Sequence, residues 1–262
     1  VLESTYGGYR NVQPSRQQAT EDFTSLANKI LERGGKLIVP VFAVGRSQEV
    51  MLVLEEKMRE GKLPKVPVHL DGMIYEATAI HTAYPEFLNS QLRTQIFQQG
   101  DNPFLSDIFH RVDSSQMRTG ILDSKDPCIV LATSGMMSGG PVMEYFRAWA
   151  QDEKNGLLFV GYQAEGTFGR RLQRGMAEAT FLDGSRQATV PVKIDLATIE
   201  GFSGHSDRVQ LMNFVASLDP RPQRVILNHG EESKVVDLCS SLHKRFNVES
   251  RAPYNLEAIR VL

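Results

Sequence analysis

Two histidines set the chemistry open to this chain. His205 lies in Gly201-Phe202-Ser203-Gly204-His205-Ser206-Asp207 and His229 in Asn228-His229-Gly230-Glu231, each just past an apolar run and beside a glycine. One imidazole can hold a metal ion while another donates a proton, a division of labour suited to a phosphodiester. The small residues around His205, just ahead of a helical pattern, leave backbone N–H groups open to a phosphate, although a lone histidine there is equally at home as a structural residue. His229 follows the strand-like stretch 224–227, at a carboxyl-terminal strand end where open α/β sheets place their sites; its plainer role is a loop histidine bonded to backbone. Glu3 ends the apolar start of the chain and is either an exposed strand-end carboxylate or a group that orients an imidazole. Asp207 reads as a helix N-cap rather than a catalytic acid.

Weaker anion-binding signals lie elsewhere. The loop 133–140, with Ser134 and Gly135 ahead of a helix start, offers hydroxyls and mobile backbone to a phosphate, whereas Met136 and Met137 read as packing residues. At the strand-to-helix junction 43–49, Arg46 suits a phosphate or, equally, a carboxylate of its own fold. Arg170, Arg171 and Arg174 form a small basic patch, ordinarily a solvated face. Dinucleotide fingerprints, Walker loops, zinc-finger spacings and serine nucleophile elbows are absent from the sequence.

The elements that must position these residues follow an α/β cadence. Phe23, Leu26, Ala27, Ile30 and Leu31 mark one face of a helix over 15–33, stopped by Gly34-Gly35. A strand over 36–42, a helix to about residue 60, a short strand over 66–70 and helical patterns over 73–97 come next. Residues 100–127 read as a loop with short helices. The cadence resumes with strands at 128–133 and 156–162, helices at 141–151 and 167–174, a turn at Asp183-Gly184, and an imperfectly alternating stretch over 189–199. A helix over 207–218, the strand 224–227, a helix over 231–246 and an extended tail finish the chain. Short connections between alternating strands and helices predict a largely parallel sheet.

With 262 residues, 41% hydrophobic and 23% charged, the chain has ample sequence for a buried core and no apolar run long enough to span a membrane. A net charge of −2 excludes a chain that coats nucleic acid by electrostatics alone and leaves a local groove. Cys128 in an apolar run and Cys239 in a helical pattern favour reduced thiols and a cytoplasmic setting. The start at Val1, without a methionine or lead-in, reads as that of a fragment or processed chain.

Taken together, Glu3-Ser-Thr-Tyr-Gly, Pro40-Val-Phe-Ala-Val-Gly-Arg-Ser-Gln-Glu49, Ala132-Thr-Ser-Gly-Met-Met137, Asn155-Gly156 through Gly161-Tyr162, Glu165-Gly-Thr167, Phe202-Ser-Gly-His-Ser-Asp207 and His229-Gly-Glu231 resemble the β-CASP branch of the metallo-β-lactamase superfamily. Within that branch they resemble archaeal homologues of the nuclease subunit of the cleavage and polyadenylation specificity factor. The resemblance implies a Rossmann-like β-CASP domain over 7–193, inserted in a metallo-β-lactamase αββα fold represented by 1–6 and 194–262. It implies that His229 binds one zinc of a two-zinc site, and that His205, oriented by Glu3, contacts the scissile phosphate and protonates the leaving oxygen. Ser134, Gly135 and Ser203 resemble positions near RNA phosphates, and the tail 252–262 resembles a homodimer surface, its plainer role being a final strand. The family's His-x-His-x-Asp-His motif is absent, so the expectation is the C-terminal portion of a zinc-dependent endoribonuclease in RNA processing, unable to cut by itself. Alternatives are a noncatalytic RNA-binding or assembly subunit and an unrelated nucleotide-binding α/β protein using the loop 134–140.

Overall fold

The computed structural model of the protein describes residues 1–183 and 186–260, in two compact units. The smaller comprises residues 1–15 with those from Ser203 on, and the larger is Arg16–Phe202. In chain order the elements are β1 (Leu2–Glu3), α1 (Arg16–Glu32), β2 (Leu37–Pro40), α2 (Arg46–Arg59), β3 (Val68–Asp71), α3 (Ile74–Ala83), α4 (Ser90–Gln99), β4 (Phe109–Val112) and α5 (Ser115–Asp123). They continue with β5 (Ile129–Ala132), α6 (Val142–Trp149), β6 (Gly156–Phe159), α7 (Phe168–Gln173), β7 (Glu178–Asp183), β8 (Arg186–Pro191) and β9 (Asp195–Thr198). The last four are α8 (Arg208–Ser217), β10 (Arg224–Asn228), α9 (Glu232–Phe246) and β11 (Glu249–Arg251).

The larger unit is a six-stranded sheet in the order β4-β3-β5-β2-β6-β9, parallel at every pairing, with β7 and β8 forming a separate antiparallel pair. Strands β2, β5 and β6 are buried at every residue because helices cover both faces. Leu37, Val39, Val68, Leu70, Ile129 and Leu131 face a core with Phe23 and Ile30 of α1 and Met51 and Leu54 of α2. The alternate residues Ile38, Val130, Leu157 and Phe159 face Tyr145, Phe146 and Trp149 of α6. This is the expected α/β class with a largely parallel sheet. Helix α1 exists because Ala19, Phe23, Ala27, Ile30 and Leu31 recur at helical spacing and are buried. Lys36, just before β2, is buried with its Nζ donating to the carbonyls of Ile121, Leu122 and Ser124, so an ammonium closes the C-terminal end of α5.

The smaller unit holds a parallel sheet in the order β1-β10-β11, with a core of Leu211, Val215, Val225, Leu227, Leu238 and Leu242 under α8 and α9. The larger compact unit runs from Arg16 to Phe202. Residues 194–202 go with the larger unit because β9 pairs with β6 from Gly156↔Asp195 to Phe159↔Thr198. Residues 7–15 go with the smaller, where Tyr9 N–H donates to Asp237 at 2.8 Å and Gln13 N–H to Asp207 at 3.1 Å.

Most expected elements stand within one to three residues of their anticipated limits. Three do not: the irregular stretch 100–127 contains β4 and α5, the helical stretch 73–97 breaks at Tyr84-Pro85 into α3 and α4, and 189–199 divides into parts of β8 and β9. Gly184 of the expected turn lies outside the described residues, as do 261 and 262 of the tail. The described remainder of the tail beyond Arg251 forms no strand and leaves Tyr254 and Leu256 exposed. Cys128 and Cys239 are both free. No helix among the described residues is long and apolar enough to cross a membrane.

Candidate active site

The site is built where two parallel strands end together. β1 pairs with β10 with Leu2 opposite Leu227 and Glu3 opposite Asn228, so Glu3 closes one strand and His229 follows the other at the same edge. Ser4 N–H and Thr5 Oγ1 donate to the His229 carbonyl at 3.4 and 3.1 Å. They hold His229 in a left-handed conformation with φ of 52°, which is uncommon outside glycine and worth reading as functional when it occurs at a strand end. Gly230 is required next: a Cβ there would stand 2.5 Å from the Ser4 carbonyl oxygen.

His205 is delivered by the turn that starts α8. Asp207 is its N-cap, accepting from Gln210 N–H at 2.8 Å while Gln210 Oε1 accepts from Asp207 N–H at 2.9 Å. The expected capping role of Asp207 is therefore the observed one. Ser203 Oγ accepts the His205 N–H at 3.2 Å, an engagement with the turn itself.

Glu3 and His205, two hundred residues apart in sequence, meet at 2.7 Å between Oε2 and Nδ1. The other carboxylate oxygen accepts Ser206 N–H at 3.1 Å. Burial alone would raise the Glu3 carboxyl, but the neighbouring Thr5 hydroxyl, the hydrogen bond from Ser206 N–H and the adjacent His205 overcome it and hold the group below its usual range. His229 Nδ1 lies 3.0 Å from Thr5 Oγ1, and the His205 and His229 rings are 5.2 Å apart at 32°. Of the expected residues, Glu3, His205, His229 and Ser203 thus come together in the smaller unit. Thr5 is the member that sequence reasoning passed over; its only signal is a hydroxyl two residues beyond the acid at a strand end.

Ser134, Gly135 and Arg46 belong to the larger unit, the first two on the loop that leaves β5 and Arg46 as the first residue of α2, which follows the neighbouring strand β2. Ser134 Oγ is occupied within its own turn, donating to Gly139 O at 3.2 Å and accepting Ser138 N–H at 2.9 Å. Gly135 has room for no side chain, since a Cβ would lie 2.9 Å from Phe42 N. Arg46 is paired with Glu49 one turn along its own helix, the carboxylate alternative of its two readings. Met137 is buried in the core, as a packing residue should be. In the basic patch, Arg174 is held by Glu165 through contacts of 2.6 and 2.8 Å.

Residues 47–172 match the Beta-Casp domain, and residues 189–253 match the Zn-dependent metallo-hydrolase RNA specificity domain. The chain belongs to the β-CASP metallo-hydrolase family. Three proteins called "Transcription termination factor FttA" match all of it: that of Methanosarcina mazei at 52% identity, that of Methanocaldococcus jannaschii at 50% and that of Pyrococcus horikoshii at 51%. The matches cover 41%, 41% and 40% of those relatives, so this chain spans about two fifths of their length.

Zinc can be tested against the β-CASP residues in place. One ligand atom each from Glu3, His205 and His229 lies within 4.8 Å of the others. However, Glu3 Oε2 is engaged with His205 Nδ1, and His229 Nδ1 with Thr5 Oγ1, which leaves the two imidazole Nε2 atoms as donors for a ligand. Zinc takes three or four protein ligands, so His229 fits one corner of a zinc site, and a zinc pair does not fit among the described residues alone.

Proposed function

We propose that the chain is the RNA-binding and site-completing portion of a zinc-dependent endoribonuclease that processes RNA, with transcript 3′ ends as its substrate. The observation that carries this reading is the 2.7 Å contact between Glu3 and His205 beside the exposed His229. The family match and relatives named as transcription termination factors support the assignment to RNA.

In this reading Glu3 accepts Nδ1–H of His205, which fixes the ring and assigns proton transfer to Nε2. With both ring nitrogens protonated, His205 gives the Nε2 proton to the departing ribose oxygen as a water oxygen bonds to phosphorus and the P–O bond breaks, so the leaving group departs as a neutral hydroxyl while Nδ1–H stays with Glu3. His229 is one zinc ligand, with the remaining ligands supplied from outside this chain; zinc in such a site supplies Lewis acidity and an activated water. Ser203 in the smaller unit and, separately, Ser134, Gly135 and Arg46 in the larger are the candidates for phosphate contact, Arg46 only on release from Glu49. A homodimer formed through the C-terminal residues belongs to the same proposal.

The test is RNA cleavage by a full-length protein loaded with zinc. His205→Ala is expected to lower the cleavage rate by about 10²–10⁴-fold with RNA affinity retained, the range for loss of a general acid. Cleavage undiminished in that variant would overturn the role of His205. RNA binding with no cleavage in the unmutated full-length protein would move the assignment to a noncatalytic RNA-binding subunit.

A further inference from the structure

Thr5 is 4% exposed, and its single hydroxyl is within reach of three groups. Oγ1 lies 3.0 Å from His229 Nδ1, 3.1 Å from the His229 carbonyl oxygen and 3.4 Å from His205 Nδ1. A hydroxyl has one proton to give and two lone pairs to receive with. The carbonyl is an acceptor only, so its 3.1 Å contact is a hydrogen bond only when it takes the Thr5 proton, and none is then left for an imidazole. His205 Nδ1 is accounted for separately, because its shorter contact, 2.7 Å, is to Glu3. His229 Nδ1 must therefore be the donor to Thr5 Oγ1. A neutral imidazole carries one N–H, and its Nε2 is then a lone pair.

We propose that Thr5 is a positioning residue that fixes His229 in the Nδ1–H tautomer and so reserves Nε2 for a ligand. The inference deepens the metallo-hydrolase reading above and rests on it for the identity of that ligand. The same side chain pins the His229 carbonyl together with Ser4 N–H, so ring and left-handed backbone are fixed by one residue. Glu3 and Thr5 thereby divide the work: the carboxylate takes Nδ1–H of His205 and the hydroxyl takes Nδ1–H of His229. Both rings are left with the same atom, Nε2, for chemistry. Metal-binding histidines commonly donate their second nitrogen to a carboxylate, carbonyl or water; here a buried threonine takes that place.

The tautomer can be read without any catalytic assay. In the chain labelled with ¹⁵N-histidine, at about pH 8.5 where an ordinary imidazole is neutral, long-range ¹H–¹⁵N correlation separates a protonated from an unprotonated ring nitrogen. The expected result is Nδ1–H for His229, retained in Thr5→Ser and replaced by mainly Nε2–H in Thr5→Val, with His205 unchanged in all three. Nε2–H at His229 in the unmutated chain, or an unchanged tautomer in a folded Thr5→Val variant, would overturn the proposal. If Thr5→Val does not fold, the unmutated and Thr5→Ser spectra decide the matter by themselves. A full-length protein that cleaves no RNA while His229 keeps the Nδ1–H form would sink the ribonuclease reading and leave this one standing.

Discussion

Removing the carboxylate of Asp71 should cost the larger unit about 3 kcal/mol, and the structure says where that figure comes from. Asp71 ends β3 with its side chain 2% exposed and receives three donors: Arg118 Nε at 2.7 Å, Arg118 Nη2 at 3.0 Å and Tyr145 Oη at 2.8 Å. It thus ties α5 and α6 to the sheet. Burial and then the bond to Asp71 push the Tyr145 phenol well above its usual range, so it stays a neutral donor. Breaking a buried pair costs about 3–5 kcal/mol when the other charge is stranded. Arg118 is 21% exposed and keeps Glu144 at 2.9 Å, so water and that second carboxylate relieve part of the loss and place Asp71→Ala near the lower end, at about 3 kcal/mol. Asp71→Asn should cost about 2 kcal/mol, because an amide offers one acceptor oxygen and turns an NH₂ toward a donor.

Trp149, the only tryptophan, reports on this core directly, with its ring 5.2 Å from that of Tyr145. Urea unfolding followed by its fluorescence should move to lower midpoint by about 1 M or more for Asp71→Ala, given slopes of about 1–3 kcal/mol/M. Adding Arg118→Met should recover part of the loss, since the stranded guanidinium is then gone, giving a coupling of about 1–2 kcal/mol. A loss below about 1 kcal/mol for Asp71→Ala, or strict additivity with Arg118→Met, would show that the clamp is not held by charge as argued.

Two further outcomes are expected. His69 is lowered to about 4, by burial first and then by His110 and Lys36, with Asp71 opposing. It is neutral in the fold, while an unfolded chain takes up a proton below about pH 6.5, so the stability tied to this group is lost as pH falls from 6.5 toward 4. The ceiling is about 3 kcal/mol, reduced to about 2 by partial solvent access. Unfolding measured from pH 7.5 to 4 should therefore slope less steeply in His69→Leu, and equal slopes would count against the mechanism. For the tail, a chain ending at Arg251 should sediment as a monomer where the longer one dimerises; an unchanged oligomer would remove residues beyond 251 from the interface.

The elements legible in the sequence are those with a strong period or an unbroken apolar run: α1, β2, β5 and α9 all lie close to where their patterns put them. β4 was hidden because it is an edge strand whose middle residues, His110 and Arg111, face solvent, so it has neither run nor clean alternation. The break between α3 and α4 was marked by Pro85, which a continuous helical reading passed over. In the site, His205 and His229 stand out by residue type and by the glycine beside each imidazole, whereas Glu3, open between two roles by residue type, was singled out only by the family resemblance. Thr5 was not legible, because a hydroxyl's role is set by which groups surround it, and those come from residues 205 and 229. Glu49, which pairs with Arg46, stands three positions along the same helix and hence on the same face.

What assembles the site is packing by residues that do no chemistry. Leu2 joins the core that contains Leu227, its partner across the ladder, and because side chains alternate along a strand this commits Glu3 to the other side. A slip of one residue would turn Leu2 outward and drive the carboxylate into that core without a partner, a change penalised on both counts. The apolar side chain therefore fixes the register that the carboxylate needs. Gly230 acts in the same way at the opposite strand end, since only a residue without Cβ lets the chain after His229 pass within van der Waals reach of Ser4. That approach brings the Thr5 hydroxyl to the His229 carbonyl and ring. Glu3, Thr5, His205 and His229 would not meet in a chain that kept all four but lost Leu2 and Gly230, so the motif around each histidine is chemically meaningful only together with the residues that close the two strand ends against each other.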